Sequence, residues 1–514
     1  MKKIIKVLLS RMAVIIFLMS VQIVAVVLLT LKLSKTYFYF YSFLEFLSIL
    51  VVFYIASRDT NPSRKIIWII LILIFPIFGG ILFILLKTSS ANKKFSKSIH
   101  ESNNQTLSHL DTDNGVLESL KNHGGSIAAQ SRYIANSGFP VYKNTTTRYF
   151  NSGEEFFVSL IEELKKAEKF IFIEFFIIHE GLMWNTILSV LEEKAKEGVD
   201  VRVMYDDAGC LTRLPYKYYE TLGKKGIKCF VFNPFTPVIE VRMNHRDHRK
   251  IIVIDGYVGY TGGINLSDEY INAREKFGYW KDAAILIKGE AVWNMTIMFL
   301  QLWSYISKTV MDNNEDYNKF RPDSRIFGPF ESDGYVQPFG DSPIDNEPVG
   351  ESVYLNMICR AKKYIYIFTP YLIIDHKMIN ALSLAAKSGV DVRIVTPHIP
   401  DKWYVFLVTK SYYPILIEQG VRIYEYTPGF LHSKTVLCDD EIAVVGSINL
   451  DYRSLYFHFE CGIFLYKTKS IEEIKEDFQK TFPICQEITL DECKKVSFPK
   501  RILQTFLKLF APLM

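Results

Sequence analysis

The stretch His248-Arg-Lys250-Ile-Ile-Val-Ile-Asp255 is written a second time as His432-Ser-Lys434-Thr-Val-Leu-Cys-Asp439, which restricts the chain to a duplicated architecture. Each copy reads H-x-K-x4-D. Seven residues past each Asp stands a Gly-(Gly/Ser)-x-Asn turn, Gly262-Gly263-Ile264-Asn265 and Gly446-Ser447-Ile448-Asn449. Gly198-Val-Asp-Val-Arg202 matches Gly389-Val-Asp-Val-Arg393, Gly226 to Phe230 matches Gly420 to Tyr424, and Lys169 to Ile173 matches Lys363 to Ile367. The offsets are 191, 194 and 194 residues, with 184 between the motif histidines. Units of this length are duplicated domains and not a solenoid, whose repeats are far shorter.

Two His, two Lys and two Asn at matched spacing predict one site assembled from two halves. A pair of histidines can attack and protonate, while Lys and Asn can hold a phosphate. In an extended H-x-K segment the two side chains share a face, so His248 and Lys250 point one way, as do His432 and Lys434. Asp255 and Asp439 fall at strand ends, where a carboxylate can either orient a histidine or cap a turn. Glu269 and Glu460 are each placed to hold a motif histidine or to form a structural salt bridge. His245, His179, His398 and His458 lack a repeated context, and His245 reads as structural. No Asp/Glu/His cluster shows metal-ligand spacing, so no metal and no cofactor are expected.

Strands and helices alternate through both halves: strands over 170–178, 199–205, 228–232, 250–254 and 257–260, then 364–368, 392–395, 421–426, 435–437 and 443–445. This predicts an α/β fold of two duplicated domains with mixed sheets packed around one shared site. Three apolar runs precede them, over 12–31, 37–56 and 66–86, each near the ~20 residues of a bilayer-spanning helix. The expectation is two or three N-terminal transmembrane helices. The first run lacks a small-residue cleavage site and reads as an anchor, not a signal peptide. Seven Lys/Arg flank one side and six the other, so orientation stays open.

The expected domains are a membrane region over 1–87, a linker over 88–140, a first catalytic half over 141–308, a connector over 309–347, a second half over 348–495, and an amphipathic segment over 496–514. That last segment fits an interfacial helix or a helix docked on the protein. The net charge of +5 suits an anionic membrane surface and is too diffuse for nucleic acid. Seven cysteines without a C-x-x-C support neither zinc nor a disulfide framework, and favour a cytoplasmic catalytic part.

These residues resemble the HKD motifs of the phospholipase D superfamily and, more narrowly, a bacterial cardiolipin synthase. Arg58-Asp-Thr-Asn-Pro62, Asn244 to Lys250, Thr261 to Asn265, Tyr279-Trp-Lys-Asp282, Thr369-Pro-Tyr371, Asp451-Tyr-Arg-Ser454 and Leu509 to Leu513 carry the likeness. The additional apolar run at 12–31 departs from a family that commonly shows two. The resemblance implies transfer of a phosphatidyl group from one phosphatidylglycerol to another, giving cardiolipin and glycerol in a multi-pass cell-membrane enzyme. It implies a phosphohistidine on His248, His432 as general acid/base, and phosphate contacts from Lys250, Lys434, Asn265 and Asn449. Competing readings are a phospholipase D hydrolase, a phosphatidylserine synthase type of transferase, and a non-catalytic membrane scaffold.

Overall fold

The computed structural model describes residues 35–58, 62–76, 79–80, 82–83, 90–110, 113–234, 241–311, 315–322, 334–345 and 347–513. The apolar run over 12–31 lies outside these residues. The chain divides into two compact units, an N-terminal one reaching Ser96 and a large one that holds both halves of the repeat.

In the N-terminal unit, helix Lys35–Ala56 is followed by helix Pro62–Ile74. The second stops just ahead of Pro76, whose ring disfavours helical geometry at the residue before it. Phe43, Phe46 and Phe53 of the first helix are exposed. Among the described residues, no helix is long and apolar enough to cross a membrane.

The large unit contains two sheets of the same design. The first half supplies β1 (Thr145–Phe150), β2 (Phe170–Phe175), β3 (Asp200–Asp206), β4 (Lys228–Phe232), β5 (Arg246–Asp247), β6 (Lys250–Ile254), β7 (Val258–Gly262), β8 (Tyr279–Lys281) and β9 (Ala284–Gly289). The second supplies β10 (Tyr335–Asp341), β11 (Tyr364–Phe368), β12 (Leu372–Ile373), β13 (Asp391–Pro397), β14 (Arg422–Tyr426), β15 (Gly429–Leu431), β16 (Thr435–Cys438), β17 (Ile442–Gly446), β18 (Leu450–Asp451), β19 (His458–Tyr466) and β20 (Cys485–Ile488). The first sheet runs β1-β9-β7-β6-β2-β3-β4, and the second β10-β19-β17-β16-β11-β13-β14-β20. Strand for strand the orders agree, with β20 added at one edge. In both, the three central-to-edge strands pair parallel and the rest antiparallel, so the sheets are mixed as the alternating pattern predicts.

The nearly continuous apolar run at 170–175 becomes β2, buried on both faces. Ile171 and Ile173 join a core with Leu160, Leu164, Trp184 and Ile187 from two helices on one side. Phe172 turns to the other side and stacks on Phe299 of helix Val292–Met311, with ring centroids 4.6 Å apart.

Two expectations give way. The linker expected over 88–140 contains helices Ser90–Leu107, Asn114–Lys121 and Gly125–Asn136, and the first of these is the least legible in the sequence. A single stripe of that helix is buried among the described side chains: Phe95, Ile99, Ser102 and Thr106, spaced at four, three and four residues, with the Ser102 hydroxyl donating to the Gln301 carbonyl at 2.8 Å. A stripe that is half polar gives little hydrophobic signal. The connector expected over 309–347 also contains β10, which pairs with β19 along seven registered residues from Tyr335–Tyr466 to Asp341–Glu460.

A buried charge cluster braces the first motif. Arg249 places Nη2 2.7 Å from Glu174 and Nε 3.3 Å from Asp247, and all three side chains are almost wholly buried. Burial pushes the Glu174 carboxyl well up, despite the pull of Arg249. R249A leaves buried Asp247 without this counter-charge and buried Glu174 without its partner. The expected loss is about 3–5 kcal/mol, read as a lower midpoint in thermal or urea unfolding of the purified chain.

Candidate active site

Each motif histidine is fastened by the opposite half. β5 pairs with the start of β19, and the His248 amide donates to the Phe459 carbonyl at 2.9 Å. β15 pairs with β8, and the His432 amide donates to the Lys281 carbonyl at 2.7 Å. The side chains repeat the exchange. His248 Nδ1 lies 2.9 and 3.0 Å from the two oxygens of Glu460, and His432 Nδ1 lies 2.7 Å from Asp282 Oδ2. An ionised carboxylate only accepts, so Nδ1 carries the proton in both rings and Nε2 keeps its lone pair for chemistry.

Asp282 and Glu460 are equivalent positions. Gly262 registers with Ala284, and Gly446 with Gly462; each carboxylate stands two residues before that partner. The turn glycine has a reason here. A Cβ on Gly263 would come within 2.1 Å of Asp282 Oδ1. Its counterpart Ser447 instead donates its hydroxyl to Glu460.

Lys250 and Lys434 are fully buried, and each ammonium reaches back to the carbonyl of its own motif histidine. Burial lowers Lys250 to about 8 and Lys434 to about 7. Burial likewise lowers His248 to about 3 against the pull of Glu460, and His432 to about 4 against that of Asp282. For Glu460 and Asp282, burial alone would raise the carboxyl; the hydrogen bonds from the imidazole Nδ1–H groups and the lysine charges outweigh it and hold both ionised. Without substrate, both imidazoles are therefore neutral. A phosphodiester anion entering among them favours the protonated form of every base it touches.

The surroundings of the two rings differ. His432 is packed by Trp280, Tyr270 and Phe430, with centroids 5.5, 5.5 and 5.8 Å away. His248 meets Phe176 at 5.1 Å and His458 at 5.5 Å. His458 is the positional counterpart of Trp280, two residues before the carboxylate in each half. His248, His458 and Glu460 bring potential metal-ligating atoms within 4.8 Å of one another. Two buried lysine charges nearby oppose a dication there.

Asn265 accepts from the Ile177 amide at 3.1 Å and donates to the Tyr270 hydroxyl at 2.8 Å, leaving one donor hydrogen. Asn449 is buried, and its amide oxygen has no donor among the described residues.

Three sequence-based site expectations do not reach the histidines. Asp255 sits at φ 51° and accepts from the amides of Glu168, Lys169 and Phe170 at 2.7–2.8 Å. Asp439, at φ 54°, does the same for Lys362, Lys363 and Tyr364 at 2.7–2.9 Å. Both clasp the motif hairpin to the start of the neighbouring strand, which is the turn-capping alternative. Glu269 is drawn off by Arg213 at 3.0 Å, Arg274 at 2.6 Å and Lys276 at 3.5 Å. Asp282 takes the place expected for it.

The family described as "Cardiolipin synthase, PLD-like domain" matches residues 160–303 and 354–482, one copy on each sheet. The chain belongs to this family. A second description, "Phospholipase_D-nuclease N-terminal", matches residues 46–87. An uncharacterized protein of Streptococcus mutans is 45% identical over 90% of this chain and 99% of its own length. The cardiolipin synthase of Halalkalibacterium halodurans is 33% identical over 90% of this chain and 91% of its own. Among solved structures, phosphatidylserine synthase of Haemophilus influenzae superposes with a TM-score of 0.56 at 16% identity, over 75% of this chain and 97% of that one, a likeness of fold. Within the PLD-like cardiolipin synthase family, the repeat of the matched segment is the repeat of the sheet, and Asp282 and Glu460 fall inside the two copies.

Proposed function

We propose that this protein is a cardiolipin synthase, a phosphatidyltransferase using phosphatidylglycerol as both donor and acceptor. The observation that carries this reading is the reciprocal pairing: two neutral histidines, each held through Nδ1 by a carboxylate of the other half, with two buried lysines beside them. Such a centre suits two-step displacement at a phosphodiester.

In this reading His248 Nε2 attacks the phosphorus of the first phosphatidylglycerol. A P–N bond forms, the P–O bond to the headgroup breaks, and His432, which has taken up a proton at Nε2 on binding of the phosphodiester anion, gives that proton to the leaving glycerol oxygen. The free hydroxyl of a second phosphatidylglycerol then passes its proton to His432 and attacks the phosphorus. The new P–O bond releases cardiolipin and restores His248. Lys250, Lys434, Asn265 and Asn449 would bear on the phosphate oxygens, while Glu460 and Asp282 hold the rings. The name of the Halalkalibacterium halodurans relative and the intact pair of motifs support transfer over a scaffold.

The halves are assigned to 141–308 and, including β10, 334–495, with the membrane region over 1–87. The exposed phenylalanines of helix Lys35–Ala56 and the family match over 46–87 support membrane attachment. The cysteine usage supports a cytoplasmic catalytic part.

The deciding experiment follows the purified full chain in mixed micelles with headgroup-labelled phosphatidylglycerol. Cardiolipin and free glycerol in equal amounts are expected. Phosphatidic acid as the main product would make the protein a hydrolase.

A pH dependence follows from the lysines. Both pKa values are lowered in the folded chain, so their charge is present below the folded pKa and lost as pH rises through it. Lys434 at about 7 and Lys250 at about 8 set that window, and a bound phosphate moves it upward. KM for phosphatidylglycerol is expected to rise above roughly pH 8, with kcat/KM showing a basic limb. A KM flat to pH 10 would remove the lysines from phosphate binding.

A further inference from the structure

The C-terminal helix Phe498–Lys508 lies against helix Trp403–Ile417 with its polar side inward. Gln504 is buried and donates to the Leu407 carbonyl at 3.2 Å. Lys508 lies over the Tyr412 ring, 4.2 Å from its centroid. The apolar side faces outward: Phe498, Ile502 and Phe506 are 75%, 55% and 56% exposed, and Leu509 and Phe510 continue the face. A helix docked by its hydrophobic stripe shows the reverse arrangement. The inversion leaves a large aromatic and aliphatic face in need of an apolar medium.

Beside this helix lies a cavity of about 740 Å³, with Lys494, Lys500, Arg501 and Lys508 in its lining. Of the acids there, Glu425 is matched by Lys410 at 3.0 Å and His398 at 2.9 Å, and Glu492 is engaged by the Thr489 amide at 2.7 Å. That leaves Glu418 and Glu492 against four cations. Lys508 is partly buried with no carboxylate partner among the described residues, and burial lowers its pKa. A cavity with a net excess of cations, bordered by an outward apolar face, matches the two chemistries of an anionic lipid, a phosphate over acyl chains.

We propose that this cavity receives the phosphate headgroup of an anionic glycerophospholipid while Phe498, Ile502, Phe506 and Phe510 enter the acyl layer. It is a lipid site of its own, away from the motif histidines in the fold, and it stands whether or not the transfer reaction does. Its occupant is a bilayer lipid, because the exposed apolar side chains have no use for a free phosphate.

The test is amide hydrogen exchange of the full chain in nanodiscs of phosphatidylcholine alone and of phosphatidylcholine with phosphatidylglycerol, with glycerol phosphate added in detergent as a third arm. Exchange across 498–508 is expected to slow roughly tenfold in the anionic disc relative to the neutral one. K500Q/K508Q should erase that difference while leaving β19 protected, which shows that the fold is intact. Equal protection in both discs would overturn the proposal, as would a difference that survives in the double variant. Equal protection by glycerol phosphate in detergent would overturn it too, by making the cavity a site for a soluble phosphate.

Discussion

Changing Asp282 to Asn is expected to lower turnover by about 10²–10⁴-fold with little loss of stability. The carboxylate accepts the Nδ1 proton of His432 at 2.7 Å and is fully buried. An amide of the same shape can present its NH2 to the ring, which favours the tautomer with the proton on Nε2. That ring can neither take a proton from an incoming hydroxyl nor return to its active form cheaply. Glu460→Gln should act in the same way on His248. The measurement is kcat with phosphatidylglycerol for both variants, beside a thermal midpoint. A D282N enzyme within threefold of the parent would mean that the His432–Asp282 pair is structural.

The second large effect separates the histidines. His248→Ala and His432→Ala should each lower cardiolipin formation by roughly 10³–10⁴-fold or more. They should differ on a donor whose leaving group needs no proton, such as a p-nitrophenyl phosphodiester. H432A is then expected to give a burst of nitrophenol and to retain phosphorus on His248, seen as an acid-labile, base-stable adduct. H248A should give neither. A burst from H248A instead would exchange the two roles and leave the reaction intact.

Much of this was legible in the chain. Two H-x-K-x4-D copies with matched turns carry the duplication, and the sheets repeat it strand for strand. Glu460 was within reach because it follows Asn449 by only eleven residues. Asp282 was not, because its distance from Asn265 is seventeen; both copies place a short helical turn here, Asp268–Ile271 and Tyr452–Tyr456, and the first copy runs six residues longer before the carboxylate. Glu269, four residues past Asn265, was a candidate by nearness along the chain and not by matched spacing, and three basic side chains claim it. The two Asp ending the motifs were ambiguous for a physical reason. A carboxylate at a strand end caps backbone amides as readily as it orients a ring, and only the left-handed φ with three donated amides resolves the choice. The strand register that makes Asp282 and Glu460 equivalent is a property of pairing across the sheet, which spacing along the chain does not carry.

The exchange of carboxylates has an ancestral reading. A chain with one half alone would own a histidine and a carboxylate that never meet, since each serves the other copy. Two such chains about a twofold axis would complete both pairs at once. Joining them in one polypeptide releases the copies from identity. Trp280 where the other half has His458, and Gly263 where it has Ser447, are places where the two copies have already parted, so that the two sides of one centre are no longer alike.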